Sequence, residues 1–178
     1  MGSSNGFGGV KNLWSTHAPR ALVIALLVCA LDQASKLWLL WSYDIAIHQP
    51  VALTPFLDVV LVWNKGVSYG LLALDSTGGQ WALGAIQLTI SLALWLWLNT
   101  APAMLTRLSL ALIIGGALGN TIDRFLHEGV ADFFLLHLRA LGSDLNWYVF
   151  NLADVAIVAG VAALLYESVF ADNRRSGM

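Results

Sequence analysis

Four runs of about 20 apolar residues constrain this chain more than anything else in it, because a run of that length spans the hydrocarbon core of a bilayer as a helix. The runs cover residues 20–41, 81–98, 105–122 and 148–170. Charged residues make up 11% of the 178, against roughly 25% in an ordinary soluble domain. Hydrophobic residues make up 58%, and there are 8 Trp. So little polar surface cannot coat a water-soluble globule, and the expectation is a multi-pass integral membrane protein. The formal net charge of −2 carries no basic footprint of the kind nucleic-acid binding requires. The single cysteine, Cys29, excludes an internal disulfide and a thiolate metal cluster.

The length suits one domain, expected over residues 20–170. Residues 1–19, beginning "MGSSNGFGGV", read as a flexible tail without the apolar core of a secretory signal. Residues 171–178 read as a second, cytoplasmic tail. Residues 42–80 contain Pro50, Pro55 and several Gly, which argues against a continuous helix. Within them "FLDVVLVW" is rich in β-branched residues and predicts a strand of a small sheet against the membrane surface. Residues 123–147 form the second long connection, whereas "NTAPAM" joins the second and third runs tightly. Lys11, Arg20, Arg107, Arg174 and Arg175 fall on one side, and Lys65, Arg124 and Arg139 on the other. That bias places both termini in the cytoplasm and the long connections outside. Trp41, Trp81 and Trp147 sit at the expected outer ends of the runs and Trp97 at an inner end, as an aromatic belt requires.

The polar residues inside this apolar frame carry the functional information. Asp32 and Lys36 lie in the first run at i, i+4 spacing, so one helical face holds both and they can pair. Such a pair either fixes helix packing or supports a site. "WNKGVSYG" (63–70) follows the expected strand; Asn64, Gly66 and Gly70 suit a turn, and Asn64 can also hydrogen-bond to a bound peptide. "GGALGNTIDR" (115–124) closes the third run. Gly115, Gly116 and Gly119 permit close approach of a helix or ligand, and Asn120, Asp123 and Arg124 follow. Arg124 can pair with Asp123 or bind a carbonyl or phosphate through its planar fork.

Two further acids are placed where a carboxylate is expensive: Asp132 in "VADFF" and Asp154 in "NLADVAI". Asp154 is expected about two turns into the fourth run, with Asn151 one turn above it, and Asp132 in the connection before that run. Taken singly, Asp154 is a helix N-terminal charge and Asp132 an exposed loop residue. Taken together, with Asn120, Arg124 and Asn151 converging from the same side, they point to a site, since ionisable groups at membrane depth mark function by default. Two close carboxylates share a proton and titrate as a pair. The ionised member can then take a proton from water while the protonated member polarises a carbonyl, which suits peptide hydrolysis. Zinc-protease and serine-hydrolase patterns are missing: the His are His17, His48, His127 and His137, with no H-E-x-x-H and no G-x-S-x-G.

In order and spacing these motifs resemble the bacterial lipoprotein signal peptidases, or signal peptidase II. "DQASK" looks like that family's D-x-x-x-K, and "NKGVSYG" is similar to its N-x-G-x-A-F-G, with Ser68 for Ala and Tyr69 for Phe. "GNTIDR", "VADFF" and "FNLADVAI" match its G-N-x-x-D-R, V-x-D-F and F-N-x-A-D-x-x-I. The resemblance implies an all-α membrane protein with a small β element, in which a four-transmembrane-helix bundle carries an outward-facing β-cradle and a periplasmic loop. It implies Asp132 and Asp154 as catalytic, with Asn64, Gly66, Asn120, Arg124 and Asn151 binding substrate. Asp32, Lys36 and Asp123 become structural support. It further implies an inner-membrane aspartic endopeptidase with no cofactor and no metal. A bundle of four spans can work alone, so a monomer among membrane lipids is expected. The expected substrate is a prolipoprotein signal peptide whose precursor carries diacylglyceryl on the cysteine after the cleavage point. The competing reading is a transporter or a proton or cation relay, which would place its acids near the bilayer midplane with access from both sides.

Overall fold

Backbone polar groups in hydrocarbon must be satisfied within their own segment, so the apolar runs can cross only as helices. The computed structural model describes residues 14–66, 74–140 and 143–175. Residues 1–13 of the tail, Ser68, Tyr69 and Gly70, and residues 176–178 lie outside them. Helix α1 (Ala18–Leu37) continues into a π-helical turn, Trp38–Ser42, and α2 (Ile45–His48) is a single turn. The other long helices are α3 (Thr77–Thr100), α4 (Met104–His127) and α5 (Leu152–Arg175). Four of these elements are long and apolar enough to cross a membrane. They correspond to the four expected runs.

Helix α4 is the hub, packing against α1, α3 and α5. Its glycines make the close approach possible. A Cβ on Gly116 would lie 2.5 Å from the Ala153 carbonyl of α5, and one on Gly119 would lie 2.5 Å from Asp32 Oδ2 of α1. Small and branched residues fill the seam: Ala21, Ala25, Leu98, Leu110, Ala111 and Ile114. The outward faces are apolar, with Leu26, Leu31, Leu92, Val158 and Leu165 all more than half exposed. Buried polar residues inside and bare apolar residues outside are the inverse of a soluble protein, and match a lipid environment. Trp41 and Trp81 are exposed near one end of the bundle, and Trp97 near the other.

A four-stranded antiparallel meander sits at the end where α1 and α4 finish and α3 and α5 begin. Its strands are β1 (Val51–Thr54), β2 (Leu57–Asn64), β3 (Val130–Ala140) and β4 (Ser143–Phe150), paired in chain order. The strand expected at "FLDVVLVW" is therefore present as β2. Leu39, Ile45, Val59, Ala131 and Phe133 pack together to seat the sheet on the end of α1.

Two expectations are corrected here. Residues 123–147 are not simply a loop. Helix α4 runs on to His127, and a β-hairpin follows, so Asp132 is a buried strand residue paired with Val62. Val130, Ala131, Asp132 and Phe133 are all buried, so this strand has no polar–apolar alternation to betray it. The fourth helix also begins at Leu152 rather than residue 148, because residues 148–150 belong to β4. Asp154 consequently lies in the first turn, not two turns in.

Candidate active site

The site is built outward from the buried cation Lys36. Lys36 lies 2.8 Å from Asp32 and 2.7 Å from Asp123, and donates to Asn120 Oδ1 at 3.1 Å, so its three protons are all engaged. The i, i+4 pair expected in the first run is thus present and extended by a third residue. Asp32 also accepts the Ala153 backbone N–H at 2.9 Å, which ties α1 to the start of α5. Asp123 accepts the Ala131 N–H at 3.1 Å and so anchors β3, while Gln33 donates to both Asp123 and the Gly119 carbonyl. Asp123 therefore pairs with Lys36 and not with Arg124. These contacts fix where the next two carboxylates stand.

Asn151 precedes α5 and Asp154 stands three residues later. The Asn151 side-chain oxygen accepts the Asp154 N–H at 2.9 Å, and Asp154 Oδ2 accepts the Asn151 N–H at 3.2 Å. This reciprocal pair is a capping box, with Asn and Asp in place of the commoner Ser/Thr and Glu. Asp154 Oδ1 accepts a second bond, from Asn120 Nδ2 at 3.0 Å. Asn151 Nδ2 also reaches β3, donating to Asp132 Oδ1 at 2.7 Å. Asn64 at the end of β2 donates to Asp132 Oδ2 at 3.1 Å, and its own oxygen accepts the Gly66 N–H at 3.0 Å. One asparagine side chain thereby touches both acidic residues, and a second acceptor bond holds each in place.

Arg124 closes the opposite wall. It donates to Gln87 Oε1 at 3.1 Å, to Gln80 Oε1 at 2.7 Å and to the Gly66 carbonyl. Gln80, almost wholly buried, donates in turn to the carbonyls of Lys65 and Leu74 at 2.6 and 2.7 Å. A cavity of about 300 Å³ lies between these groups. Asn64, Asn120, Arg124, Asp132, Tyr148 and Asp154 supply its polar wall, and Val130, Ile157 and Val158 its apolar one. Asp132 is 2% exposed and its carboxyl is pushed up to about 7. Burial is the main cause and the Asp154 charge the next; donation from Asn64 and Asn151 and the Lys36 charge act in the opposite sense.

A family model described as signal peptidase (SPase) II matches residues 24–170. The chain belongs to the signal peptidase II family. A protein of Nitrobacter hamburgensis named lipoprotein signal peptidase is 50% identical over 147 residues, covering 83% of this chain and 90% of that protein. Another of that name, from Methylocella silvestris, is 50% identical over 157 residues, covering 86% and 88%. A solved bacterial membrane enzyme superposes with a TM-score of 0.67 at 24% identity, over 85% of this chain and 88% of that one, which shows the shared fold. The transporter reading finds no support among these relatives.

All ten site residues named from the sequence are brought into one network at one end of this signal peptidase bundle. Asn120 and Asn151 spend their amides on the aspartates, and Gly66 contributes its backbone N–H to Asn64 and its carbonyl to Arg124. His127 and His137 stay apart: the first packs at a tilt against Trp63 and the second lies 3.0 Å from Asp58. Sequence reasoning missed Gln80, Gln87 and Tyr148. A signal existed for Gln87, a strongly polar residue in the middle of "WALGAIQLTISLALWLWL", and for Gln80 seven residues before it on the same helical face. Tyr148 was hidden by its assignment to the fourth apolar run.

Proposed function

We propose that this protein is an aspartic endopeptidase that removes the signal peptide from diacylglyceryl-modified prolipoproteins, cutting just before the lipidated cysteine. One observation carries the reading. Asp132 and Asp154, remote in sequence, line the same cavity and are coupled through Asn151, with no cation paired to either among the described residues.

Asp132, its carboxyl pushed up to about 7 by burial and by the Asp154 charge, is assigned the acid's role. Asp154 is the base, supplied with donors by Asn120 and the Asn151 backbone at a helix N-terminus, where the dipole favours an anion. Water between them adds to the scissile carbonyl carbon. Its proton goes to Asp154, and Asp132 delivers its proton to the carbonyl oxygen, giving a neutral gem-diol. Collapse of the gem-diol breaks the C–N bond; Asp154 gives its proton to the departing amine, and the diol returns one to Asp132. Arg124, Asn64 and the Gly66 backbone form the wall against which the extended peptide lies.

The setting fits the substrate. The signal peptide is an apolar helix, and each buried CH₂ of an acyl chain adds about 0.8 kcal/mol to membrane partitioning. An enzyme embedded in the inner membrane meets such a precursor laterally, with no cofactor and as a monomer. The basic residues at the ends of α1, α4 and α5 orient both termini to the cytoplasm and the sheet to the periplasm. The test is a gel-shift cleavage assay with purified protein and a lipidated precursor. Asp132→Asn and Asp154→Asn are each expected to remove turnover in folded protein; turnover retained in either removes the dyad mechanism.

A further inference from the structure

Gln87 lines the cavity, yet the reaction proposed above gives it nothing to do beyond holding Arg124. It is half-buried on α3, inside the apolar run "WALGAIQLTISLALWLWL". At 1.5 Å per residue it lies about 9 Å below Trp81, whose exposed indole marks the outer boundary of the hydrocarbon. A strongly polar amide at that depth marks function unless its neighbours satisfy it.

Half of this amide is satisfied. Arg124 Nε donates to Gln87 Oε1 at 3.1 Å, and because a guanidinium only donates, that bond fixes the oxygen end of the amide towards α4. The Nε2 end carries two protons and, among the described residues, has no acceptor. Gln80, seven residues earlier on the same helix, shows the contrast. Its Oε1 accepts from Arg124 and its Nε2 donates to the Lys65 and Leu74 carbonyls at 2.6 and 2.7 Å, so both of its ends are taken.

The surroundings indicate which acceptor belongs beside Gln87. Helices α3 and α5 both pack on α4, and the cavity runs from Gln87 on α3 across α4 to Ile157 and Val158 on α5. Val158 is 67% exposed, so this part of the cavity meets lipid. Asp132 and Asp154 line the same cavity. A group lodged here must be joined to a chain whose peptide bond reaches those acids, bring apolar tails to Ile157 and Val158, and offer an acceptor. A helical signal sequence meets the second demand but not the third, since its carbonyls are spent within the helix. A carboxylic ester at the head of an acyl chain meets both.

We propose that Gln87 Nε2 donates to an ester carbonyl of the diacylglyceryl group on the precursor's cysteine, which makes Gln87 a specificity-determining residue for ester-linked over ether-linked lipid. The inference rests on the function proposed above. The lipidated cysteine directly follows the scissile bond, which keeps its esters in the same cavity as the dyad. One side chain then serves two partners: Oε1 steadies Arg124, and Nε2 reads the lipid.

Two precursors that differ only in lipid linkage, diacyl ester and dialkyl ether, test this in the gel-shift assay. The assay is run in a maltoside detergent, so the precursor is the sole source of ester and a bystander phospholipid cannot supply the contact. The wild type should show a KM about fivefold lower for the diester, the worth of one hydrogen bond between uncharged partners. Gln87→Glu keeps an oxygen for Arg124 and loses both N–H groups, whereas Gln87→Met loses both ends of the amide. Each should bring the two KM values together; should one variant not fold, the other gives the same reading. Equal KM values in the wild type overturn the proposal, and so does a preference for the diester that survives either substitution. Both KM values raised with their ratio intact is the signature of a brace for Arg124 alone, and counts against the ester contact. Cleavage of neither precursor by the wild type would instead remove the peptidase reading itself.

Discussion

Two acidic clusters lie side by side at one end of the bundle, joined through Asn120, and they differ chiefly in a lysine. In the first, Asp32 and Asp123 flank Lys36 at 2.8 and 2.7 Å. In the second, Asp132 and Asp154 share a cavity, and among the described residues their hydrogen-bond donors are amide side chains and backbone. Asp32, Asp123 and Asp132 are almost wholly buried, and Asp154 is half-buried. Burying a carboxylate beside a cation yields a brace, whose removal costs far more than its presence contributes. Two close carboxylates without one tend to share a proton, which is the role proposed for Asp132 and Asp154. On that proposal the same side chain serves as scaffold in one place and as reagent in the other because of its neighbours.

The largest effect separates the clusters by what they do. Asp132→Asn and Asp154→Asn should each cut cleavage at least on the order of 10²–10⁴-fold, the usual worth of a positioned acid or base. Their melting midpoints should stay near that of the wild type. Lys36→Met should do the reverse. It leaves Asp32 and Asp123 buried without a counter-charge, and an unfolding titration should show a loss of about 3–5 kcal/mol. Activity per folded molecule should fall much less than in the dyad variants. If Lys36→Met proved as stable as the wild type, the brace would be no brace.

A smaller effect concerns the wall rather than either cluster. Gln80→Leu leaves Arg124 Nη1 and the Lys65 and Leu74 carbonyls without their partner, at a cost of about 1–3 kcal/mol for each buried group left unsatisfied. Steady-state kinetics should show a rise in KM larger than the fall in kcat, since Arg124 and Gly66 shape the wall and not the reacting atoms. A pure kcat effect would place Gln80 in the chemistry instead.

Most of the fold was legible because bilayer physics leaves few choices: four apolar runs of span length become four helices. The Asp32–Lys36 pair and the glycine face of α4 were equally readable, since helical spacing puts those residues together whatever the rest of the chain does. The second half of the sheet was not. Residues 130–134 read as a uniform apolar stretch around one acid, and no two-residue alternation marks a strand buried on both faces. The depth of Asp154 was misjudged for a related reason. Val149 and Phe150 look like helix interior, yet they pair across to Leu135 and Phe134, and the helix waits for the Asn151 cap. That the two aspartates share a wall depends on the β3–β4 pairing, which sets Phe150 opposite Phe134 and so brings the start of α5 beside Asp132. Spacing along one element cannot reveal that.

The most direct test follows the shared proton itself. An infrared titration of the carboxyl C=O stretch should show a protonated group at pH 6 that disappears as pH rises through about 7, because Asp132 is held at about 7 by burial and by the Asp154 charge. Asp132→Asn should lack the band, and wild-type cleavage should decline over the same interval as the pair loses its proton. A spectrum without such a band between pH 5 and 9, or a cleavage rate that keeps rising above pH 8, would contradict a proton-sharing pair.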